Sequence, residues 1–403
     1  MLSEAWTAKA LERLASRIRA PVTLELWNGE RYQLSESPAV AIKLTSPAAI
    51  KYLKSGTLSG LGEAFVEGYL DVSGGLRDII RVAEDISSSL TSESLRKRLL
   101  PGRRHSRKLD SEAIRFHYDV SNEFYQLWLD RNMVYSCAYF RTGQEDIDTA
   151  QEQKLDHICR KLQLKPGERL LDIGCGWGAL IRHAVANYGV RASGITLSQH
   201  QYDYAKARID AEGLSDRCEV KLLDYRDVPG EACYDKIASV GMFEHVGLKN
   251  LPVYFDTVTR LLRENGLFLN HGITSMSPDG LSAPFDAGDF IDRYVFPHSE
   301  LPHVAEAVAE MSRQSLEVVD VESLRPHYAR TLAWWAERLV AKREQAVAHA
   351  GEKRYRIWQI YLAGCSHAFD RGWMSIHQIL AVRKRKSGPC DLPWTRAYMY
   401  PSS

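Results

Sequence analysis

Residues 170–179 read LLDIGCGWGA, an apolar run that ends in glycines at 174, 176 and 178. The segment that follows has the composition of a helix. Glycine at alternate positions allows tight turning and close backbone approach, and the next helix start offers unpaired N–H groups to a bound anion or sugar. The stretch therefore predicts a strand, a ligand-cradling loop and a helix. Its spacing is G-x-G-x-G, not the dinucleotide fingerprint G-x-G-x-x-G.

Outward from this loop, strand-like and helical segments alternate as a parallel α/β sheet requires. The expected strands are Arg169–Ile173, Arg191–Thr196, Cys218–Leu223, Asp235–Val240, Leu267–Ile273 and Leu316–Val321. Expected helices include Trp177–Tyr188 and Leu248–Arg263. Residues 276–302 form a Pro/Gly/Asp-rich insertion, and the C-terminal third reads as long helices carrying Trp334, Trp335, Tyr355, Trp358, Tyr361, Phe369 and Trp373. At helical spacing, Trp358, Tyr361, Cys365 and Phe369 are core first and acyl-channel walls second. Arg383–Lys386 reads as the basic end of the last helix.

Upstream, residues 1–95 read as a small α+β domain. Met1–Ala20 is an amphipathic helix with Lys9, Arg13, Arg17 and Arg19, lacking the apolar core of a signal peptide. Asn28-Gly29 between two alternating runs signals a type I′ hairpin, Val40–Thr45 a third strand, and Ser46-Pro47 a helix start. Residues 96–109 are a basic linker: RKRLLPGRRHSRK holds a Pro-Gly break and no acid. It suits either a solvated connector or an anionic membrane surface, where each basic residue is worth roughly 1 kcal/mol. Residues 110–386 then form the catalytic domain and 387–403 a tail.

The 403 residues, 45% hydrophobic, suffice for a large core, and a net charge of +1 calls for no nucleic-acid partner. Seven scattered cysteines without C-x-x-C pairs fit a reducing cytosol and no metal site. No apolar run reaches about 18 residues, so the chain is expected to be cytoplasmic and at most peripheral to a membrane.

The glycine loop alone admits a nicotinamide or flavin dinucleotide and S-adenosylmethionine. A dinucleotide site expects an acid after the second strand, but that strand runs into Gly194-Ile195-Thr196-Leu197-Ser198-Gln199. Asp172 and Asp224 stand instead where a sulfonium-binding methyltransferase places acids.

Seven segments then occur together: FHYDVSNEFYQLWLD (116–130), YSCAYF (135–140), LDIGCGWG (171–178), GITLSQ (194–199), DYRD (224–227), SVGMFEHVG (239–247) and HGI (271–273). In these the chain resembles the cyclopropane-fatty-acyl-phospholipid synthase family, which includes the mycolic acid cyclopropane synthases. The resemblance spans roughly residues 110 to 380. It implies a class I, Rossmann-like methyltransferase sheet with helical additions, and a small N-terminal domain used in lipid contact and homodimerisation. The implied reaction is S-adenosylmethionine-dependent addition of a methylene group across a cis double bond of an unsaturated phospholipid acyl chain.

By the same resemblance, Tyr118 and Ser136 face the cofactor's methionine end, with Gly174 and Gly176 beneath it. Asp172 and Thr196 belong to the cofactor site, Gln199 binds the ribose, and Asp224 with Tyr225 flanks the adenine. A bound bicarbonate is the implied base, held by Cys137, Glu244, His271, the backbone of Ile273, and Tyr328. A thiol, an imidazole and a phenol can donate to an oxyanion, and a glutamate can accept its hydroxyl proton. The chain departs from better-known members at Gly272, where they carry Thr. Products ending as a methyl branch or a methylene share the same first step. A dinucleotide oxidoreductase or a non-catalytic lipid-binding protein are the readings from other classes.

Overall fold

The computed structural model describes residues 21–55, 57–90, 120–278, 290–291, 294–295, 300–385 and 392–401. The N-terminal amphipathic helix, the basic linker and Tyr118 lie outside them. The chain divides into two compact units, each of which draws on separated stretches of sequence.

The first unit holds a four-stranded sheet of β1 (Val22–Glu25), β2 (Arg31–Gln33), β3 (Val40–Leu44) and β4 (Leu70–Gly74), ordered β2-β1-β3-β4. Alternation decides its faces: Val40, Ile42 and Leu44 are buried while Ala41 and Lys43 are exposed. Leu24, Leu61, Phe65 and Val82 complete the core. The hairpin forms as expected, but its turn is not type I′, which needs positive φ at both central residues. Only Gly29 has it, at 88°. Gly29 N–H donates to the Leu26 carbonyl at 3.0 Å and Leu26 N–H to that of Glu30 at 2.8 Å, so Trp27-Asn28-Gly29 is a three-residue loop ending in a left-handed glycine. The same unit takes in residues 339–367, whose Arg356 pairs with Asp71 at 2.7 Å and whose His367 meets Glu84 at 2.8 Å. Trp358, Tyr361 and Cys365 are buried there.

The second unit is built on seven strands: β5 (Arg169–Ile173), β6 (Arg191–Thr196), β7 (Cys218–Leu222), β8 (Tyr234–Val240), β9 (Leu262–Ser275), β10 (Leu316–Ser323) and β11 (Met374–Arg383). Their order is β10-β11-β9-β8-β5-β6-β7. Strands β5 to β9 run parallel, and β11 lies antiparallel between β9 and β10. This is a mixed, mostly parallel α/β sheet, of the kind the resemblance implies.

Three sequence expectations are corrected. The basic run at Arg383 ends a strand, not a helix, and Trp373 sits in the turn before that strand. Met374–Arg383 is nearly all buried, so it shows no alternation to mark it as a strand. The helix expected over 248–263 spans Leu251–Leu261, after a 3-10 turn and with Pro252 in its first turn; the chain turns extended at Leu262. The helix expected from Trp177 starts at Ala179, because Gly178 caps it with φ 81°. Helix Val304–Arg313 was not expected at all; it carries a capping box of His303 and Glu306.

A charged network closes the edge of this sheet. Lys161, fully buried, reaches Asp320 at 3.0 Å and Glu322 at 2.6 Å on β10. Glu322 also meets His157 at 2.8 Å, and from the tail Arg396 reaches Asp320 at 2.5 Å while the Met399 carbonyl meets His157 at 3.2 Å. Removing one member of such a buried set strands its partners. Lys161→Ala is expected to lower stability by about 3–5 kcal/mol in urea unfolding, whereas Arg396→Ala, at the exposed end of the network, is expected to lower it by about 1 kcal/mol or less.

Candidate functional site

The chain passes from β5 outward through β6 and β7, then returns to β8 on the other side of β5. At this reversal the loops after β5 and β8 diverge and leave a crevice at the strands' carboxyl ends, the usual ligand position in such sheets. Gly174, Gly176 and Trp177 form one wall, Gly241, Met242 and His245 the opposite wall, and Thr196, Leu197 and Gln201 one end. Gly174, Gly176 and Gly178 all have positive φ. A Cβ on Gly174 would lie 2.8 Å from Met242 Cβ, while one on Gly176 would meet nothing within 4 Å. The first glycine lets the walls approach, and the second keeps the floor open.

Of the cofactor residues expected from sequence, Ser136, Asp172, Gly174, Gly176, Thr196, Asp224 and Tyr225 line this groove. Thr196 Oγ1 donates to Gln201 Oε1 at 2.7 Å and accepts from Ser198 N–H at 3.2 Å, which fixes the end of β6. Asp224 takes two bonds from Arg226, at 2.8 and 2.7 Å, and caps the short turn bearing Tyr225. Gln199 is placed elsewhere. It is exposed at the helix start and donates to Asp203 at 2.8 Å, while Gln201, two residues on, enters the groove. One face of a helix cannot present both.

The sequence reading also passed over Lys154. It is 2% exposed, lines the groove and donates to Ser136 Oγ at 2.9 Å. Burial lowers its ammonium to about 8 and raises the carboxyl of Asp172, another residue of the groove lining, to about 7. Its signal was weak, since a lysine on an amphipathic helix ordinarily faces water.

Behind the groove lies a second set of side chains. Gly241 N–H donates to the His271 carbonyl at 2.8 Å, joining the groove wall to β9. Glu244 follows in a 3-10 turn, buried, with Oε1 accepting Ile273 N–H at 2.7 Å and Oε2 unpartnered. Burial pushes this carboxyl up to about 7. His271 is fully buried, and burial holds its imidazole well below the usual range, hence neutral. Gln378, opposite it on β11, places its amide nitrogen 3.4 Å from the imidazole Nδ1, while the imidazole Nε2 is buried without a partner. Cys137 is buried, raised by desolvation, and points its thiol at the Ala138 carbonyl at 3.3 Å and that of Leu324 at 3.9 Å. Leu324 N–H donates to the carbonyl of Ile376, the partner of Ile273 across β11 and β9. Tyr328 is buried against Phe369, ring centroids 4.7 Å apart. Ile273's amide is occupied by Glu244, so it orients that carboxylate.

Gly272 has a local cause. A Cβ there would stand 2.8 Å from Phe243 Cδ1 and 3.1 Å from its Cβ. Phe243 packs on this position and precedes Glu244, so the small residue and the carboxylate's position are linked.

A family model described as mycolic acid cyclopropane synthetase matches residues 105–379. The chain belongs to that family. A second model, a domain of unknown function, matches residues 10–94. A probable fatty acid methyltransferase of Pseudomonas putida is 49% identical over 384 residues, 95% of this chain and 97% of the relative. The cyclopropane-fatty-acyl-phospholipid synthase of Escherichia coli K12 is 33% identical over 382 residues, 90% of this chain and 95% of its own length. Among solved structures, mycolic acid cyclopropane synthase CmaA1 complexed with SAH and CTAB is 33% identical with a TM-score of 0.64, covering 68% of this chain and 98% of that one. The family is one of S-adenosylmethionine-dependent methyltransferases acting in cyclopropane and fatty acid chemistry, and membership sets aside the dinucleotide reading.

Two outcomes follow from the buried cluster. Gly272→Thr should destabilise by about 1–3 kcal/mol through overpacking, and Phe243→Leu in the same chain should recover part of that in thermal unfolding. Glu244 takes up a proton on folding wherever pH lies between its ordinary 4.5 and the folded value of about 7. Its ionisation therefore lowers stability as pH rises through that window. The stability of wild type relative to Glu244→Gln should fall from pH 4.5 to 7 by on the order of 3 kcal/mol, and a flat difference would contradict the burial of this carboxyl.

Proposed function

We propose that this protein transfers a methylene group from S-adenosylmethionine to the cis double bond of unsaturated phospholipid acyl chains, forming a cyclopropane ring. The observation that carries the reading is the pair of buried atoms without partners, Glu244 Oε2 and His271 Nε2, on the strand ends and loops that also build the groove. An acceptor and a donor left open together fit bicarbonate, which carries both a hydroxyl and an oxyanion. Cys137 and Tyr328, both buried, are the further donors that the family resemblance assigns to this anion.

When bound, the methyl donor supplies an electrophilic carbon: the alkene π pair forms the new C–C bond, the S–CH₃ bond breaks, and a neutral thioether leaves. The chain is left cationic, and ring closure then needs a proton taken from the transferred methyl. Bicarbonate at the buried cluster would supply that base. Glu244 and His271 hold and orient it, and neutrality of His271 keeps a second cation away from the site. Burial of Phe243, Phe369 and Tyr328 excludes water that would trap the cation. The names of the Pseudomonas and Escherichia relatives support an acyl substrate. Among the described residues no helix is long and apolar enough to cross a membrane. The basic run at 96–108 supports contact with an anionic membrane surface instead, with a homodimer as the working assembly.

Vesicles of unsaturated phospholipid incubated with labelled donor should gain CH₂ per chain, by mass spectrometry, in a form that resists mild hydrogenation. A product that takes up hydrogen would be a methylene, a gain of CH₄ would be a branch, and unlabelled lipid would remove the reading. Glu244→Gln should keep donor affinity within a few-fold and lose turnover by about 10². Bicarbonate depletion should slow the wild type, and no effect would exclude the anion as base.

A further inference from the structure

His157, on helix Ile147–Lys161, is buried and faces a hydrogen-bond acceptor at each ring nitrogen. Nδ1 lies 3.2 Å from the Met399 carbonyl of the tail, and Nε2 lies 2.8 Å from Glu322 Oε2 on β10. A carbonyl and a carboxylate only accept, so both bonds exist together only when the ring carries two protons. Burial raises the Glu322 carboxyl, but the bonds from His157 and Lys161 outweigh it and hold the group down at about 2. The charges facing the ring are Glu322 and Asp320 from β10, Lys161 on its own helix and Arg396 from the tail, each cation being met by one of those carboxylates. Lys154, one turn earlier on the helix, lines the groove. The nearby phenols of Tyr139 and Tyr400 are raised by burial, and the imidazoles of His327 and His271 are lowered by it, so these four stay neutral while His157 titrates.

The same ring is joined to the groove through one side chain. Tyr139 is stacked between His157, with centroids 4.2 Å apart, and His327, at 4.8 Å. Phe140 N–H donates to His327 Nδ1 and Ala138 N–H to Thr331 Oγ1, each at 3.0 Å, which completes the hold on the loop 135–140. Tyr135 and Ser136 of that loop line the groove. We propose that His157 is a positioning residue: its imidazolium straps residues 396–400 to β10 and, through Tyr139, holds the loop 135–140, so that tail and loop loosen together when the ring loses a proton. A neutral ring keeps one N–H, and either Met399 or Glu322 then loses its donor and faces a bare nitrogen lone pair. The strap is therefore closed in acid and released as pH rises. None of these atoms takes part in the proposed methyl transfer, so the inference stands apart from that reading.

The test is hydrogen exchange of the full chain, followed by mass spectrometry in peptides covering 135–140 and 392–401 and corrected for the intrinsic pH dependence of exchange. The amides of Ala138, Tyr139, Phe140, Met399 and Tyr400 are all bonded in the strapped form. From about pH 5.5 to about pH 8.5, which spans imidazole titration, protection of both wild-type peptides should fall by about tenfold, the scale of one charge-assisted hydrogen bond. The two should share a midpoint, while a peptide from helix Ala179–Tyr188 should not respond. In His157→Gln protection of tail and loop should be low and independent of pH. Tyr139→Leu should keep the tail's response and abolish the loop's. Wild-type protection that is flat or rises with pH, different midpoints for tail and loop, or an unchanged response in His157→Gln would each overturn the proposal. If His157→Gln does not fold, wild type and Tyr139→Leu decide it, and a loop that still follows the tail without Tyr139 would overturn it.

Discussion

The reversal of winding between β5 and β8 is the constraint from which the rest follows. Parallel strands hydrogen-bonded side by side must send their connecting loops out at the carboxyl ends, and where the chain changes direction across the sheet those loops part. The groove is that gap. Its glycines serve the geometry of the gap: one lets the loop after β5 come close to Met242, the other leaves the floor clear. The same pairing carries the site further inward, because β8 lies beside β9 and Gly241 bonds the His271 carbonyl. A groove wall and a buried polar cluster are thereby two sides of one strand pair.

That cluster shows how burial, not charge pairing, sets protonation. Glu244 and Asp172 each lie within the fold with one oxygen unsatisfied, and both are raised to about 7. His271 is driven the other way and stays neutral. Groups held in this state store desolvation cost until a ligand completes them, so they mark a site more sharply than exposed charges do. Lys161 is the contrasting case, since Asp320 and Glu322 satisfy it and it serves to fasten β10 and the tail.

Several features were legible because they rest on local chemistry. The strands of the central sheet, the glycine loop and the hairpin depend on periodicity and turn residues, which are written in neighbouring positions. β11 was not legible, since MSIHQILAVR is covered on both faces and an unbroken apolar run carries no period. The hairpin's turn type was not legible either, because Asn-Gly suits more than one loop and the flanking register chose the three-residue form. Gln199 and Gln201 differ only in which side of a helix start faces the groove. That is a matter of packing.

The sequence by itself determined the class of the sheet and the family, because glycine spacing, the missing acid after β6 and motifs such as SVGMFEHVG are properties of the chain in order. Only the tertiary structure decided which polar atoms are left open. Lys154 lies far in sequence from Asp172, as does Glu244 from Ile273, and whether each is solvated, paired or stranded depends on what the fold brings against it. Solvation is a property of the assembled interior, so no local pattern could have reported it.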